Sequence, residues 1–393
     1  MNYYFYFAKV VKCVIIRVGD NMLGLYIHIP FCKKICPYCD FFKNVSGDAK
    51  KNIFVNALLE EMKIKKLSKY SFDTLYIGGG SPSCLPLFLL EKIFKQLDSY
   101  INLKQLREFT VELNPDDISE ALVLLLKNYH VNRVSIGVQT FSPKLQHVIK
   151  RYITFDELAT KLSLLRSHQL NNINLDLMYA IPGETMEDLD LDLNLLLKLQ
   201  PTHVSAYSLI LEEHTIFYHL YQKNKLTLVK DNEESKMYHH LCHILTNNHF
   251  FHYEISNFAI KGCESMHNLL YWNCDEYLAL GPSASSYFNS YRFKNTSNMR
   301  KYLDGIASTK LVLDENEFIS HDEKMKEELI LGLRKSSGIS VQKFKNKFSL
   351  DPIVVFPNIK KLLNEGLLKQ KEDNIYIPQK HFYLTNHILV KIF

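Results

Sequence analysis

Short apolar runs alternate with helical patterns through the first half of the chain. The run Leu23–Ile29, LGLYIHI, stops at Pro30, and a second run, DTLYIGGG, stops in glycines. Between them, apolar Phe54, Leu58 and Met62 recur at the spacing of one helix face. Four more runs follow, with helical patterns between them: REFTVEL, VNRVSIGV, NINLDLMYAIPGE and HVSAYSL. Six apolar strands that alternate with helices predict an α/β fold with a parallel sheet and outer helices.

The pattern changes after residue 231. We expect mainly helices there, interrupted by YEISNFA and by a segment rich in Asn, Tyr and Ser. Two further helical patterns, 322–335 and 351–365, precede GLLKQKEDNIYIP, which predicts a β-hairpin and with it a winged-helix-like domain. In the first half, the spacing of Asp117 and Glu120 is typical of a capping box and predicts that a helix begins there.

Polar residues and glycines recur at the carboxyl ends of the predicted strands: His28, Gly78, Gly79, Gly80, Glu112, Gln139 and Asp176. In (β/α) barrels this end of the sheet forms the active-site face. The triple glycine removes side chains where the backbone could approach a ligand. Each of these residues alone also fits a turn, a cap or a surface ion pair. The series along successive strands predicts a binding site.

Composition and charge narrow the class of protein. The 393 residues carry a net charge of +5 without a long Lys/Arg run, which argues against a nucleic-acid partner. The sequence has no uncharged apolar stretch of about 18 residues, so we expect no membrane span. Lys9, Lys12 and Arg17 interrupt the N-terminal segment, which lacks the form of a secretory signal, and we expect residues 1–24 to be an extension. Scattered cysteines without such a signal indicate the reducing cytoplasm.

Three cysteines, Cys32, Cys36 and Cys39, lie in one short loop after the first strand. The spacing Cys-x3-Cys-x2-Cys suits three corners of a cubane iron–sulfur cluster. Structural zinc is the alternative, but it wants four ligands, typically in two separated pairs. No second pair follows, and the other cysteines are isolated: Cys13, Cys84, Cys242, Cys263 and Cys274. The spacing therefore favours iron and sulfide over zinc.

Three cysteine ligands on four irons leave one iron open to a small molecule. With this feature the loop resembles the signature of the radical S-adenosylmethionine superfamily. The resemblance implies a partial (β/α)6 barrel, a [4Fe-4S] cluster, and S-adenosylmethionine bound at the open iron through its amino and carboxylate groups. It also implies that an electron from the cluster cleaves the sulfonium to give a 5′-deoxyadenosyl radical, and that Tyr38 packs beside the adenine.

Six motifs make the resemblance narrower. They are similar, in order and over residues 25–377, to the oxygen-independent coproporphyrinogen III oxidase family: LYIHIPFC, IGGGSPS, VELNP, NRVSIGVQTF, NLDLMYAIPGET and HVSAYSL. The resemblance implies contacts to a first S-adenosylmethionine from Tyr26, Tyr38, Gly79, Glu112 and Ile210. It implies contacts to a second one from Gly80, Ser81, Gln139, Arg151 and Asp176. The family's usual Leu-Gly-Arg-x-His reads Ile-Lys-Arg-Tyr-Ile around Arg151, which leaves the number of such sites open.

Two features distinguish a haem-carrying branch of this family from the oxidases. The oxidases resemble Cys-x3-Cys-x2-Cys-x-Cys, whereas here Asp40 and Phe41 follow the third cysteine. The segment HNLLYW is similar to a haem-binding motif and comprises His267, Asn268, Tyr271 and Trp272. Imidazole is a common axial ligand of haem iron, and aromatic rings offer flat apolar faces to a porphyrin. A buried structural histidine is the alternative. His28 and His203 are other candidates, although we expect His28 to brace the cysteine loop.

The resemblance implies a chain of four parts. An extension (1–24) precedes a radical S-adenosylmethionine (β/α)6 core (25–230), a family-specific region with the HNxxYW motif (231–310) and a C-terminal winged-helix-like domain (311–393). It implies a cytoplasmic protein that binds the cluster, S-adenosylmethionine and haem, and transfers haem to acceptors such as respiratory enzymes. The alternative is an oxidase, whose radical removes a propionate β-hydrogen before carbon dioxide is lost. Productive cleavage of S-adenosylmethionine, a homodimer, and peripheral membrane contact through acceptors stay open.

Overall fold

The structure of the protein, a computed structural model, describes residues 22–393. Most of the predicted extension, residues 1–21, and with it Cys13, lies outside the described residues. Leu23 already begins the first strand, two residues before the predicted start of the core. None of the helices within residues 22–393 has both the length and the apolar character of a membrane span.

The six predicted strands lie side by side in chain order, each parallel to the next. They are β1 (Leu23–Ile29), β2 (Thr74–Gly79), β3 (Glu108–Leu113), β4 (Arg133–Gln139), β5 (Asn172–Tyr179) and β6 (His203–Ser208). In β1 the apolar Leu25, Ile27 and Ile29 are buried in the hydrophobic core. Because successive side chains of a strand point to opposite faces, Tyr26 and His28 face the barrel interior.

Helices connect these strands and cover the sheet. They are α1 (Asp48–Ile64), α2 (Leu87–Asp98), α3 (Glu120–Asn128), α4 (Pro143–Ile149), α5 (Phe155–Ser167), α6 (Met186–Lys198) and α7 (Ile216–Gln222). The predicted capping box is wrong, because the hydroxyl of Ser119 caps α3 and Asp117 lies outside it. The Asp117 carboxylate instead pairs with Lys33 and accepts a hydrogen bond from Ser83. Asp117 therefore contacts residues distant in the sequence and does not cap the helix that follows it.

The chain after residue 230 extends the sheet at both edges. It forms α8 (Asp231–Asn247), β7 (Phe251–Glu254), β8 (Asn257–Ala259), α9 (Met266–Trp272), β9 (Glu276–Leu280), β10 (Ser285–Phe288), β11 (Tyr291–Asn295), α10 (Met299–Ala307) and β12 (Leu313–Phe318). The helix expected at the start of this region is confirmed as α8, whereas the strands β9 to β12 were not expected. The predicted α/β class with its (β/α)6 units is confirmed within a twelve-stranded sheet, in the order β12-β11-β10-β9-β1-β2-β3-β4-β5-β6-β8-β7.

Strand β9 adds a seventh parallel strand, which pairs with the free edge of β1. The added segment is also tied to α1 through the buried carboxylate of Glu61. This carboxylate accepts hydrogen bonds from Gly281 N (2.8 Å), Asn295 Nδ2 (2.7 Å) and Tyr302 Oη (2.7 Å). The strand that leads into the cysteines therefore has a neighbour on each side.

The C-terminal residues form α11 (His321–Gly332), α12 (Val341–Phe348), α13 (Pro352–Val355), α14 (Asn358–Asn364), α15 (Thr385–Val390) and a small sheet of β13 (Ile339–Ser340), β14 (Lys369–Lys371) and β15 (Asn374–Tyr376). The predicted hairpin is confirmed as β14–β15, and it gives the winged-helix-like arrangement. Helix α12 was not predicted, because its segment VQKFKNKF is short and rich in lysine. Its core contacts come from Phe344 and Phe348, which are buried.

Candidate functional site

A cavity of about 440 Å³ opens at the carboxyl ends of the central strands. Its walls are the ends of β2 to β6 and the loop that carries the three cysteines, residues 31–44, named here the cysteine loop. Eleven of the predicted site residues line it: Cys32, Cys36, Tyr38, Cys39, Gly79, Gly80, Ser81, Glu112, Gln139, Arg151 and Asp176. Residues that are far apart in the sequence therefore surround one space.

The cysteine loop is fixed at its base. Asn44 N donates to Pro30 O (2.6 Å) and Cys32 N donates to Asn44 O (3.0 Å), so the two ends of the loop are joined. His28 Nε2 lies 2.8 Å from the carbonyl oxygen of Phe42. The expectation that His28 braces this loop is confirmed. These contacts hold the thiols at the mouth of the cavity.

The thiols of Cys32, Cys36 and Cys39 are free and half-buried. Burial raises the pKa of Cys32 to about 12 and raises the pKa of Cys39 as well. Both thiols therefore stay protonated until a metal displaces the proton. Within residues 22–393 no three His, Cys, Asp or Glu side chains converge on the position of a single metal ion. Three thiols arranged around an open cavity fit the corners of a larger group such as a [4Fe-4S] cluster.

The triple glycine makes room for groups of the protein itself. A Cβ on Gly78 would lie 2.6 Å from the carboxyl group of Glu112, and one on Gly79 would lie 2.6 Å from the ring of His28. A Cβ on Gly80 would lie 2.7 Å from a carbonyl oxygen at the start of the cysteine loop. Gly79 also has a φ of +115°, which disfavours other residues. The glycines thus let β2 pack tightly against both walls of the cavity.

Two carboxyl groups face the cavity, from β3 and β5. Glu112 accepts hydrogen bonds from Tyr76 Oη (2.7 Å) and Gly79 N (3.0 Å), and Asp176 accepts one from Asn174 Nδ2 (2.7 Å). Burial raises the pKa of Glu112 to about 7 and that of Asp176 to about 6. Since burial disfavours their ionised forms, a cationic ligand such as an ammonium or sulfonium would stabilise both carboxylates.

The end of β4 is irregular. The pairing of β4 with β5 shifts register between Gly137 and Gln139, and Gln139 has a φ of +74°. Two side chains hold this conformation, since Tyr207 Oη donates to Gln139 Oε1 (2.6 Å) and Arg151 Nη2 donates to Gly137 O (2.7 Å). The irregular end turns the Gln139 amide and the Arg151 guanidinium toward the same cavity.

The remaining residues predicted to contact S-adenosylmethionine differ in position. The Tyr38 ring packs against Phe217, with centroids 6.5 Å apart, and Ser81 Oγ lies 3.1 Å from Ser83 Oγ. Tyr26 does not line the cavity, and its hydroxyl lies 3.0 Å from His28 Nδ1. Ile210 is 67% exposed in the loop after β6 and does not line the cavity either.

The HNxxYW motif lies on α9, at the amino ends of β1 to β3, opposite the cavity. His267 is 1% exposed, and both ring nitrogens have partners. Nδ1 lies 2.8 Å from Thr74 Oγ1 and Nε2 lies 2.8 Å from Tyr271 Oη. His203, the other interior candidate, is equally enclosed between Asn174 and Tyr253. The structure therefore does not bring His267 or His203 to the cavity with the cysteines.

The other motif residues serve the helix and its neighbours. Asn268 N donates to Ser265 Oγ (3.3 Å) in the first turn of α9. The guanidinium of Arg334 lies over the ring of Trp272, with Arg334 Cζ 5.9 Å from the centroid of the ring. Trp272 Nε1 has no hydrogen-bond partner among the described residues. These side chains also lie away from the cavity.

Several residues around the cavity were missed in the sequence, among them three polar side chains of the central strands. Ser135 and Tyr207 line it, and Tyr76 holds Glu112 from β2. Tyr76 stands two residues before Gly78, and Ser135 two before Gly137. The period of two along a strand, counted back from its end, would have found both.

Two family models match the chain. The radical SAM superfamily matches residues 26–196, and the HemN C-terminal domain matches residues 319–384. Among solved structures, coproporphyrinogen III oxidase (HemN) from Escherichia coli has a TM-score of 0.83 with 21% identity, over 96% of this chain and 91% of that chain. At this identity the likeness shows a shared fold.

Curated relatives resemble the chain over nearly its whole length. The heme chaperone HemW of Lactococcus lactis is 38% identical over 367 residues, which cover 93% of this chain and 96% of the relative. The heme chaperone HemW of Bacillus subtilis is 36% identical over 93% of this chain and 98% of the relative. The chain therefore belongs to the HemW family within the radical S-adenosylmethionine superfamily.

Proposed function

We propose that this protein is a cytoplasmic haem chaperone that binds a [4Fe-4S] cluster and S-adenosylmethionine and passes haem to acceptor proteins such as respiratory enzymes. The observation that carries the proposal is the similarity to heme chaperones along 93% of the chain. It is supported by the cysteine loop, where Asp40 and Phe41 follow the third cysteine. Haem is the cargo in this proposal, whereas the cluster and S-adenosylmethionine are resident.

Cys32, Cys36 and Cys39 would hold the cluster at the mouth of the cavity. When bound together with S-adenosylmethionine, the cluster supplies the electron that cleaves the sulfonium bond. The chain itself contributes the fixed loop base and a positive charge, since Lys43 Nζ donates to the carbonyl oxygens of Cys39 and Phe41. A cation beside the thiolates offsets part of the negative charge of such a cluster.

The interior of the cavity would bind S-adenosylmethionine through groups of opposite charge. Glu112 and Asp176 suit its cationic groups, because burial disfavours both carboxylates and a cation would stabilise them. Arg151, held by Gly137 O, suits a carboxylate. Tyr38 offers an apolar face at the cysteine loop. Gly79, Gly80, Ser81 and Gln139 would complete the contacts, and Tyr26 would act through His28.

The residues predicted to bind haem do not form an open site, because His267 is buried. For His267 to bind the iron, Tyr271 must leave Nε2 and α9 must open, because the ring is 1% exposed. Asn268 and Trp272, which are only half-buried, would then lie beside an accessible His267. The prediction that these four residues contact haem therefore requires a rearrangement of α9.

The rival function is an oxygen-independent coproporphyrinogen III oxidase, favoured by the fold shared with the Escherichia coli enzyme. The deciding experiment incubates anaerobically reconstituted protein with S-adenosylmethionine, a reductant and coproporphyrinogen III, beside a haem titration. We expect stable haem binding and no protoporphyrinogen. Sustained formation of protoporphyrinogen would refute the chaperone proposal.

Metal and sulfide analysis of the same preparation tests the cluster. We expect about four irons and four sulfides per chain and a brown colour that dithionite bleaches. Zinc without sulfide would instead identify a structural metal site, and the chaperone proposal would lose its resident cofactor.

A further inference from the structure

Strand β3 presents two carboxyl groups to the barrel interior, one at each end. Glu108 and Glu112 are four residues apart, so the period of the strand puts them on one face, with Thr110 between them. Glu112 lines the cavity, whereas Glu108 is 3% exposed at the amino end. Thr110 Oγ1 donates to Glu108 Oε1 (3.1 Å). One strand thus reaches from the cavity to α9.

Glu108 anchors the amino end of α9. Its carboxylate accepts hydrogen bonds from Met266 N (2.7 Å), His267 N (3.2 Å) and Ser265 Oγ (3.3 Å). The first N–H groups of a helix lack partners within the helix, and they favour a negative charge. This charged cap fixes the backbone of His267 to β3.

Tyr76 of β2 joins α9 to Glu112. Its ring stacks on the ring of His267, with centroids 5.2 Å apart and planes at 28°, and its hydroxyl donates to Glu112 Oε1 (2.7 Å). The His267 ring is itself held on both sides, by Thr74 and by Tyr271. The Tyr76 ring therefore lies against a fixed surface, which sets where its hydroxyl meets Glu112.

We propose that His267, Tyr271 and Tyr76 form an internal brace that positions the Glu112 carboxylate for the ligand of the cavity. His267 is a positioning residue in this brace, and it acts through Tyr76 without touching the ligand. The inference rests on the proposed binding of S-adenosylmethionine and deepens it, because it makes the affinity of that site depend on α9. Burial lowers the pKa of His267 to about 3, so the ring stays neutral around pH 7.

Several charged or titratable groups surround Glu112 besides Tyr76. They come from β1, β4, β5, β6 and α9: Tyr26, Arg133, Asp176, Tyr207 and Tyr271. The Tyr76 hydrogen bond lowers the pKa of Glu112, whereas Asp176 raises it and Arg133 lowers it. Loss of the Tyr76 hydroxyl alone therefore raises the pKa of Glu112. If the ligand binds only to the ionised carboxylate, the pH at which it begins to bind rises as well.

The test measures the affinity of anaerobically reconstituted full-length protein for S-adenosylmethionine by calorimetry at several pH values. Tyr76→Phe keeps the stacked ring and loses only the hydroxyl, so we expect about tenfold weaker binding and an affinity profile moved to higher pH. Tyr271→Phe removes one hydrogen-bond partner of His267, which is one contact further from Glu112 than Tyr76 is. We expect about threefold weaker binding there.

Tyr291→Phe is the matched control, because it also removes one tyrosine hydroxyl, from a residue of β11 that is 45% exposed and does not line the cavity. Its affinity should equal that of the wild type, and iron content and melting temperature should be alike in all variants. Wild-type affinity and pH profile in both Tyr76→Phe and Tyr271→Phe would overturn the brace.

A haem titration of the same proteins separates the brace from the haem motif. Loss of haem binding in Tyr271→Phe with unchanged affinity for S-adenosylmethionine would assign α9 to haem and overturn the brace. Failure of the wild-type protein itself to bind S-adenosylmethionine would refute the proposed function instead.

Discussion

The two ends of the barrel use the same strands in opposite ways. At the carboxyl end, carboxyl groups and thiols face an open cavity, and the backbone adopts unusual conformations at Gly79 and Gln139. At the amino end, Glu108 of β3 and His267 of α9 are buried, and their hydrogen bonds go to other groups of the protein. One end keeps polar groups available for a ligand, and the other uses them to hold the fold.

This difference decides how a ligand could enter at each end. A cation in the cavity would stabilise carboxylates that burial disfavours, as at Glu112. A ligand at α9 would first have to replace internal hydrogen bonds, each of which contributes about 1 kcal/mol. A ligand could therefore enter the cavity without a rearrangement of the protein, whereas a ligand of His267 would first require α9 to open.

The largest effect is expected at the cysteine loop. Cys36→Ala removes one of three thiols, and we expect loss of the whole cluster, because no further cysteine of the loop can replace it. Iron and sulfide analysis after reconstitution measures this. Cys263→Ala, at an isolated cysteine away from the cavity, is the control and should keep its iron. Wild-type iron in Cys36→Ala would mean that the ligands are assigned wrongly.

The next effect concerns pH and the carboxyl group of Glu112. Its pKa of about 7 in the folded protein exceeds the unfolded value of about 4.3, so the folded state keeps a proton that the unfolded state has released. The free energy of unfolding therefore falls as pH rises through this window. In Glu112→Gln we expect the fall to be smaller by about 2 to 3 kcal/mol, measured by urea unfolding of cluster-free protein at pH 5 and pH 8. Equal pH dependence in both proteins would show that Glu112 ionises normally when folded.

The amino end should respond in stability. Glu108→Gln replaces one carboxylate oxygen that accepts from the start of α9 with an amide donor, so we expect a loss of about 2 kcal/mol in the free energy of unfolding. Glu120→Gln, at an exposed position of α3, is the control and should change it by less than about 0.5 kcal/mol. An unchanged midpoint in Glu108→Gln would mean that α9 does not depend on this cap.

The smallest effect should sharpen the geometry of the cavity. Gly78→Ala places a Cβ about where the Glu112 carboxyl group lies, so the carboxylate must move. We expect about tenfold weaker binding of S-adenosylmethionine with full iron content. Gly47→Ala, where a Cβ would meet nothing within 4 Å, is the matched control. Unchanged affinity in Gly78→Ala would show that Glu112 has room to adjust.

The carboxyl end could be foreseen from the sequence because local signals mark it. The glycines at 78–80 and Gln139 mark where two of the strands end, and these strand ends line the cavity. The three cysteines lie in one loop, so their proximity needs no tertiary information. Tyr76, earlier in the same strand as the glycines, was missed because only the period of two along the strand marks it as interior.

The amino end could not be foreseen in the same way. Helix α9 has seven residues, and the partner that caps it, Glu108, comes from a strand far back in the chain. The place of β9 beside β1 likewise depends on pairing between distant segments. Local patterns carry no information on such pairing, and the resemblance to a haem motif did not show that His267 is buried.

The position of β1 between β2 and β9 has a consequence for the order of events during synthesis. The chain leaves the ribosome amino end first, so the cysteine loop appears well before Glu276–Leu280. Until β9 arrives, β1 is an edge strand, and Glu61 lacks Gly281 and Tyr302 as partners. A cluster assembled on the nascent chain would be bound next to β1 before β9 pairs with that strand. We therefore expect cluster insertion to follow translation of the barrel and its added strands.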